Sequence, residues 1–97
     1  MSRYILLTDE EIKENMEEIP LWNQDGKTII REFAASNFPA AVGIFNAIAV
    51  IAEACDHHPD ILLYGWNKLR IKLSTHSAGG LTLQDFELAK KIDNLNF

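Results

Sequence analysis

Between Trp66 and Ser74, Leu69, Ile71 and Leu73 alternate with Lys68, Arg70 and Lys72. A period of two marks a strand with one apolar and one polar side. Three cations on the polar side keep that side in water, so the sheet containing this strand has one covered face and one open face. This excludes a sheet wrapped on both sides. It calls for helices to supply the cover, and the rest of the chain is arranged to do so.

Thr8-Asp9-Glu10-Glu11 has the form of a capping box, with Ile12, Met16 and Ile19 following at helical spacing until Pro20. Trp22 to Phe33 reads as a hairpin turning at Asp25-Gly26, with Thr28, Ile30 and Glu32 on one face and Ile29, Arg31 and Phe33 on the other. Asn37 to about Asp56 reads as the longest helix, capped by Asn37 or Ser36, with Pro39 tolerated in its first turn. Phe38, Val42, Phe45, Ala49 and Ala52 form one apolar stripe on it, widened by Ile44, Ile48, Ile51 and Cys55. That arc is wider than one packed sheet requires, which fits either an oligomer interface or burial in a small core. Ile61 to Tyr64 reads as a short strand, with Gly65 as a bulge or turn. Gly79-Gly80 breaks the chain, and Thr82-Leu83-Gln84-Asp85 opens a last helix with Phe86, Ala89 and Ile92 inward. The order is α-β-β-α-β-β-α. It predicts an α+β fold, a four-stranded antiparallel sheet with helices packed on one face.

Residues 1–97 suit a single domain with a small core. A net charge of −5 and the lack of any basic run argue against a nucleic-acid surface. The acids concentrate in Asp9 to Glu18 and read as a solvated helix face. The basic row of Lys68, Arg70 and Lys72 is likewise read as solvated rather than as an anion site. Cys55 is the only cysteine, so no intrachain disulfide forms and a reducing cytoplasmic setting is expected. Met1-Ser2-Arg3-Tyr4 does not open an export signal. Phe38 to Cys55 has the length of a membrane span but is interrupted by Pro39, Asn46 and Glu53, so no membrane role is expected.

All three histidines, His57, His58 and His76, fall within 20 residues. An imidazole titrates near neutrality, which suits proton transfer or metal ligation. Glu53 stands four residues before His57, the spacing of one helical turn, where a carboxylate can fix the tautomer of the ring. Pro59 disfavours helix at His58, so the two adjacent rings are free to point in different directions. Asp85 has two readings, the third position of a capping box with Thr82 and a partner for a histidine. Three histidines and an acid also suit zinc. Adjacent histidines seldom share one ion, however, and neither His-x-His nor His-x₃-His spacing occurs. No metal and no cofactor are expected.

Glu53-Ala-Cys-Asp-His57-His58-Pro59, Trp66-Asn67-Lys68, Leu73-Ser74-Thr75-His76, Gly80-Leu81 and Asp85 together resemble the pterin-4a-carbinolamine dehydratase family. The resemblance runs nearly the whole chain and implies the same α+β sandwich. It also implies a hydro-lyase that converts a 4a-hydroxytetrahydropterin to quinonoid dihydropterin in tetrahydrobiopterin recycling. By that resemblance His57, His58 and His76 line the pterin pocket. His58 is the main acid/base, and His57 and His76 bind and polarise the 4a-hydroxyl. Glu53 and Asp85 orient histidines, Pro59 shapes the turn, and Trp66 supplies an aromatic wall. The family pattern has five residues between the proline and the aromatic, whereas Asp60 to Gly65 makes six before Trp66, or four before Tyr64. Aligning Trp66 absorbs the extra residue near Gly65 as a bulge and leaves open which aromatic faces the pocket. The expected partners are a pterin substrate and further copies of the chain, in a homodimer or homotetramer. Two alternatives stand beside this one: a non-catalytic protein-binding module of the same fold, and a dehydratase for another pterin in folate or molybdopterin metabolism.

Overall fold

The computed structural model describes residues 5–95. The expectation for Met1 to Tyr4 lies outside that range. Helix α1 (Asp9–Met16) starts at the anticipated capping box: the Thr8 hydroxyl accepts from the Glu11 N–H, and the Glu11 carboxylate accepts from the Thr8 N–H. Strands β1 (Asn23–Asp25) and β2 (Thr28–Ala34) form the first hairpin. Helix α2 (Phe38–Cys55) follows, capped by the Asn37 side chain on the Ala40 N–H. Strands β3 (Asp60–Tyr64) and β4 (Lys68–Leu73) form the second hairpin. A short 3₁₀ turn (His76–Ala78) leads to helix α3 (Leu83–Asp93). All strands pair antiparallel in the order β1-β2-β4-β3, giving the fold that the alternation predicts.

In β4, Leu69, Ile71 and Leu73 are buried while Lys68, Arg70 and Lys72 are exposed. On the covered side Ile71 and Leu73 join Ile29 of β2, Ile48 and Ala52 of α2, and Phe86, Ala89 and Ile92 of α3 in one core. The open side is partly charge-compensated. Glu32 accepts from Arg70 Nε at 2.9 Å and from the Tyr64 hydroxyl at 3.0 Å. The Arg70 hydrogen bond, seconded by Tyr64, holds the Glu32 carboxyl below the usual carboxylate range.

Two boundaries move. The strand expected from Trp66 begins at Lys68, because Gly65 (φ 55°) and Trp66 (φ 62°) both adopt left-handed backbone to turn the hairpin. Glycine takes that conformation freely, whereas tryptophan does so at a cost. The extra residue therefore sits in the hairpin turn, not in a bulge. The β3–β4 register runs unbroken from Tyr64↔Lys68 to Asp60↔Lys72. In α2, the packed residues are Ala41, Ile48 and Ala52, flanked by Ile44, Ile51 and Cys55. Phe38, Val42 and Val50 of the wide arc face outward, 53%, 38% and 70% exposed. The helix has the length and apolarity of a membrane span, yet it packs against β3, β4 and α3.

The C-terminal end of α3 is tied to the first hairpin by one atom. Asp93 Oδ1 accepts from Trp22 Nε1 at 2.9 Å and from Arg31 Nη1 at 2.7 Å. This explains how a cation, Arg31, shares the covered face of β2 with Ile29 and Phe33. Asp93→Ala strips Trp22 and Arg31 of that acceptor and is expected to cost about 2 kcal/mol, read as a lower denaturation midpoint with unchanged slope.

Candidate functional site

The chain leaves α2 through a Schellman-type stop. The Asp56 N–H reaches the Glu53 carbonyl and the His57 N–H reaches the Ala52 carbonyl, each at 3.1 Å, with Asp56 left-handed at φ 52°, ψ 42°. This reversal sends His57 inward, where it is 8% exposed, and leaves His58 outside. Half-buried Pro59 then starts the extended chain of β3.

Glu53 pairs with His58, Oε1 to Nε2 at 2.9 Å, and not with His57 as helical spacing suggests. The reason is that the helix ends at Cys55: the left-handed turn rotates His57 away and brings the next residue back over the last turn. Both partners are exposed, so the pair contributes little stability. Its consequence is to hold the His58 ring.

His57 meets Asp85 instead, Nε2 to Oδ1 at 2.6 Å. Asp85 is fully buried. Its Oδ2 accepts from the Thr75 hydroxyl at 2.8 Å and from the Thr82 N–H at 3.0 Å. The capping box and the histidine contact therefore coexist on the two oxygens of one carboxylate. The Thr75 hydroxyl has a single hydrogen, and it goes to Asp85. Thr82 must then donate in the 2.9 Å contact between the two threonine oxygens. With donors filling Oδ2, His57 directs its Nε2 hydrogen to Oδ1, and Nδ1 is the ring nitrogen left for another partner.

His76 stands at the start of the 3₁₀ turn, exposed. The turn is clamped by the Thr75 N–H on the Gly80 carbonyl at 2.9 Å. A Cβ on Gly80 would lie 2.8 Å from the tip of the exposed Leu6 side chain, which would have to shift to admit it. The three histidines converge on one cavity of about 290 Å³, completed by Asp56, Ser74, Thr75, Ser77 and Gln84. Buried Gln84 reaches the Asp56 carbonyl at 3.5 Å through Nε2, and its Oε1 has no partner among the described residues.

Thr75 and Gln84 were not singled out from sequence. Thr75 sits inside the Ser-Thr-His string, but nothing in the string says that its hydroxyl turns inward. Trp66, expected as an aromatic wall, does not reach the cavity: it is 62% exposed in the β3–β4 turn, at the opposite end of the hairpin from Asp60 and the histidines. Tyr64, beside that turn, faces Glu32 on the open sheet. Neither aromatic lines the histidine cavity. Among the described residues, no three His, Cys, Asp or Glu side chains converge as a metal site.

The left-handed Asp56 is the joint that sets both histidines. Asp56→Gly is expected to raise stability by about 0.5–1 kcal/mol and Asp56→Val to lower it, measured by denaturant unfolding.

The pattern of the family described as pterin 4 alpha carbinolamine dehydratase matches residues 5–95. A protein of Chloroflexus aurantiacus, bearing a provisional pterin-4-alpha-carbinolamine dehydratase name, is 44% identical over 89 residues, 92% of this chain and 95% of the relative. A similarly named protein of Nocardia farcinica is 44% identical over 90 residues, 93% and 94% of the two chains. The crystal structure of a transcriptional coactivator/pterin dehydratase from Brucella melitensis superposes with a TM-score of 0.84 at 31% identity, covering 90% of this chain and 94% of that one. A pterin dehydratase-like RuBisCO assembly factor of the alpha-carboxysome shares the fold, with a TM-score of 0.62 at 23% identity over 74% of this chain and 84% of that one.

Proposed function

The chain belongs to the pterin-4a-carbinolamine dehydratase family, and on that premise we propose that it removes water from a 4a-hydroxytetrahydropterin to give quinonoid dihydropterin. The observation that supports this reading is the convergence of His57, His58 and His76 on one cavity, with His57 held by a buried carboxylate.

The reaction needs two proton transfers. The proton on N5 goes to a base as the N5 lone pair forms the C4a=N5 bond. The C4a–O bond breaks, and the departing hydroxyl takes a proton from an acid and leaves as water. Imidazoles suit both steps, and such catalysis contributes roughly 10²–10⁴-fold. His58, exposed at the rim and held by Glu53, is the main acid/base. His57, presenting Nδ1, and His76 bind and polarise the 4a-hydroxyl. Asp85 and Glu53 are positioning residues that fix the two ring orientations. The enzyme acts in the cytoplasm, within tetrahydrobiopterin recycling.

The outward face of α2 supports self-association. Phe38, Val42 and Val50 are exposed, and no charged residue falls between Phe38 and Ala52. An uncharged apolar helix face of this length is covered in a homodimer or homotetramer.

Two measurements test these readings. With freshly generated 4a-hydroxytetrahydropterin and chelator present, the protein is expected to outpace spontaneous dehydration, followed in the ultraviolet. His58→Ala is expected to lower kcat at least about 10²-fold, and a variant near wild type overturns the assignment. In sedimentation the wild-type chain is expected as a dimer or tetramer and Val50→Glu as a smaller species; a monomeric wild type overturns self-association.

A further inference from the structure

Among the described residues no element covers the outer face of the sheet, where Lys68, Arg70 and Lys72 stand exposed in one row along β4. In a chain of net charge −5, three cations are gathered on one side of one strand. The register sets Leu62 and Glu32 on either side of Arg70, and Tyr64 and Ala34 on either side of Lys68. Leu62 is 49% exposed, and Ala34 is exposed too. The face is a cationic spine with apolar flanks.

Arg70 is held in place on it. Its Nε donates to Glu32 at 2.9 Å, the Tyr64 hydroxyl donates to the same carboxylate oxygen at 3.0 Å, and the guanidinium carbon lies 5.8 Å from the centre of the Tyr64 ring. Both members of the ion pair are exposed, so it contributes little stability. Its effect is to aim the side chain. With Nε engaged, both Nη groups of the fork that grips a carboxylate are without a partner among the described residues. Lys68 and Lys72 close no ion pair among those residues either.

The chemistry of the face selects its occupant. The charge must be negative to meet Arg70 and Lys68. A polypeptide fits better than a nucleic acid: a phosphodiester brings no aliphatic side chain to Leu62, and Glu32 inside the patch repels a continuous line of phosphates. The polypeptide is helical, because a segment laid on a face, unlike one added at an edge, finds no backbone partner in the sheet and must satisfy its own N–H and C=O groups. Carboxylates one turn apart on a helix are about 6 Å apart along its axis. Cations two residues apart on a strand are about 6.8 Å apart. Arg70 and Lys68 therefore meet successive turns of such a helix. Helix α1 of a second copy carries exposed Glu10 and Glu14 at this spacing, but its Ile12 and Met16 pack in its own core and leave nothing aliphatic for Leu62.

We propose that the outer face of the sheet docks an acidic amphipathic helix of another protein, with carboxylates at i and i+4 on Arg70 and Lys68 and an aliphatic residue at i+3 on Leu62. The inference does not depend on the dehydratase reading.

The probe is a fluorescently labelled synthetic peptide of four Glu-Ala-Ala-Leu repeats, titrated with the full chain and followed by anisotropy. Saturable binding is expected at low salt, weakening as salt rises. Arg70→Glu and Lys68→Glu are each expected to weaken it at least about tenfold. A peptide with Lys in place of Glu is expected to bind the Arg70→Glu protein better than wild type, which also shows that the variant is folded. Absence of saturable binding, or binding indifferent to both substitutions, overturns the inference. So does equal affinity for a peptide with Gln in place of Glu, or tighter binding of a DNA duplex that Arg70→Glu abolishes. Sedimentation of the chain alone covers the remaining occupant: assembly abolished by both Arg70→Glu and Glu14→Gln assigns the face to α1 of a second copy and overturns the foreign partner.

Discussion

A carboxylate with no access to water holds this molecule's working end together. Asp85 is tolerated in the interior because three donors meet it: the His57 ring, the Thr75 hydroxyl and the Thr82 N–H. They come from three separate places, the segment after α2, the segment after β4 and the N-terminus of α3. Removing one partner of a buried charge typically costs about 3–5 kcal/mol. The demand of one ion for donors thus becomes a constraint on how three segments meet. The same demand fixes the His57 ring and decides which of its nitrogens is free. Stability and ring orientation are in this case one requirement.

A second constraint is the way α2 ends. The stop after Cys55 divides two neighbouring histidines between interior and rim. His57 takes its orientation from a buried anion, and His58 takes its own from a solvated one. The two rings differ in surroundings although their sequence context is almost the same. Adjacent residues on a continued helix would also diverge in direction, but neither would reach Asp85 by folding back under the helix terminus.

Most of the architecture was legible, because strand alternation, capping boxes and the Asp25-Gly26 turn are written in local spacing. The inward Arg31 shows where local spacing stops: its burial depends on Asp93, 62 positions away. The histidines and Asp85 were legible as a set, but the pairing was not. Spacing joins Glu53 to His57 only while the helix continues, and the left-handed Asp56 that ends it has no glycine to announce it. Thr75 was hidden for a different reason. A threonine after a strand is common, and only three-dimensional closure of the 3₁₀ turn shows its hydroxyl facing a carboxylate. Trp66 was misplaced because an alignment of motifs says nothing about which end of a hairpin an aromatic occupies.

The position of the Gly65-Trp66-Asn67 turn has a consequence for how such a chain tolerates change. An antiparallel hairpin is counted outward from its paired residues, so lengthening the loop at its tip leaves every pair below it in place. The Asp60↔Lys72 pair beside the histidines keeps its register whatever the tip contains. The hairpin acts as a mechanical buffer, with chain-length variation confined to one end and chemistry to the other. The tip is accordingly where a reporter or affinity segment could be grafted with the geometry of the opposite end preserved.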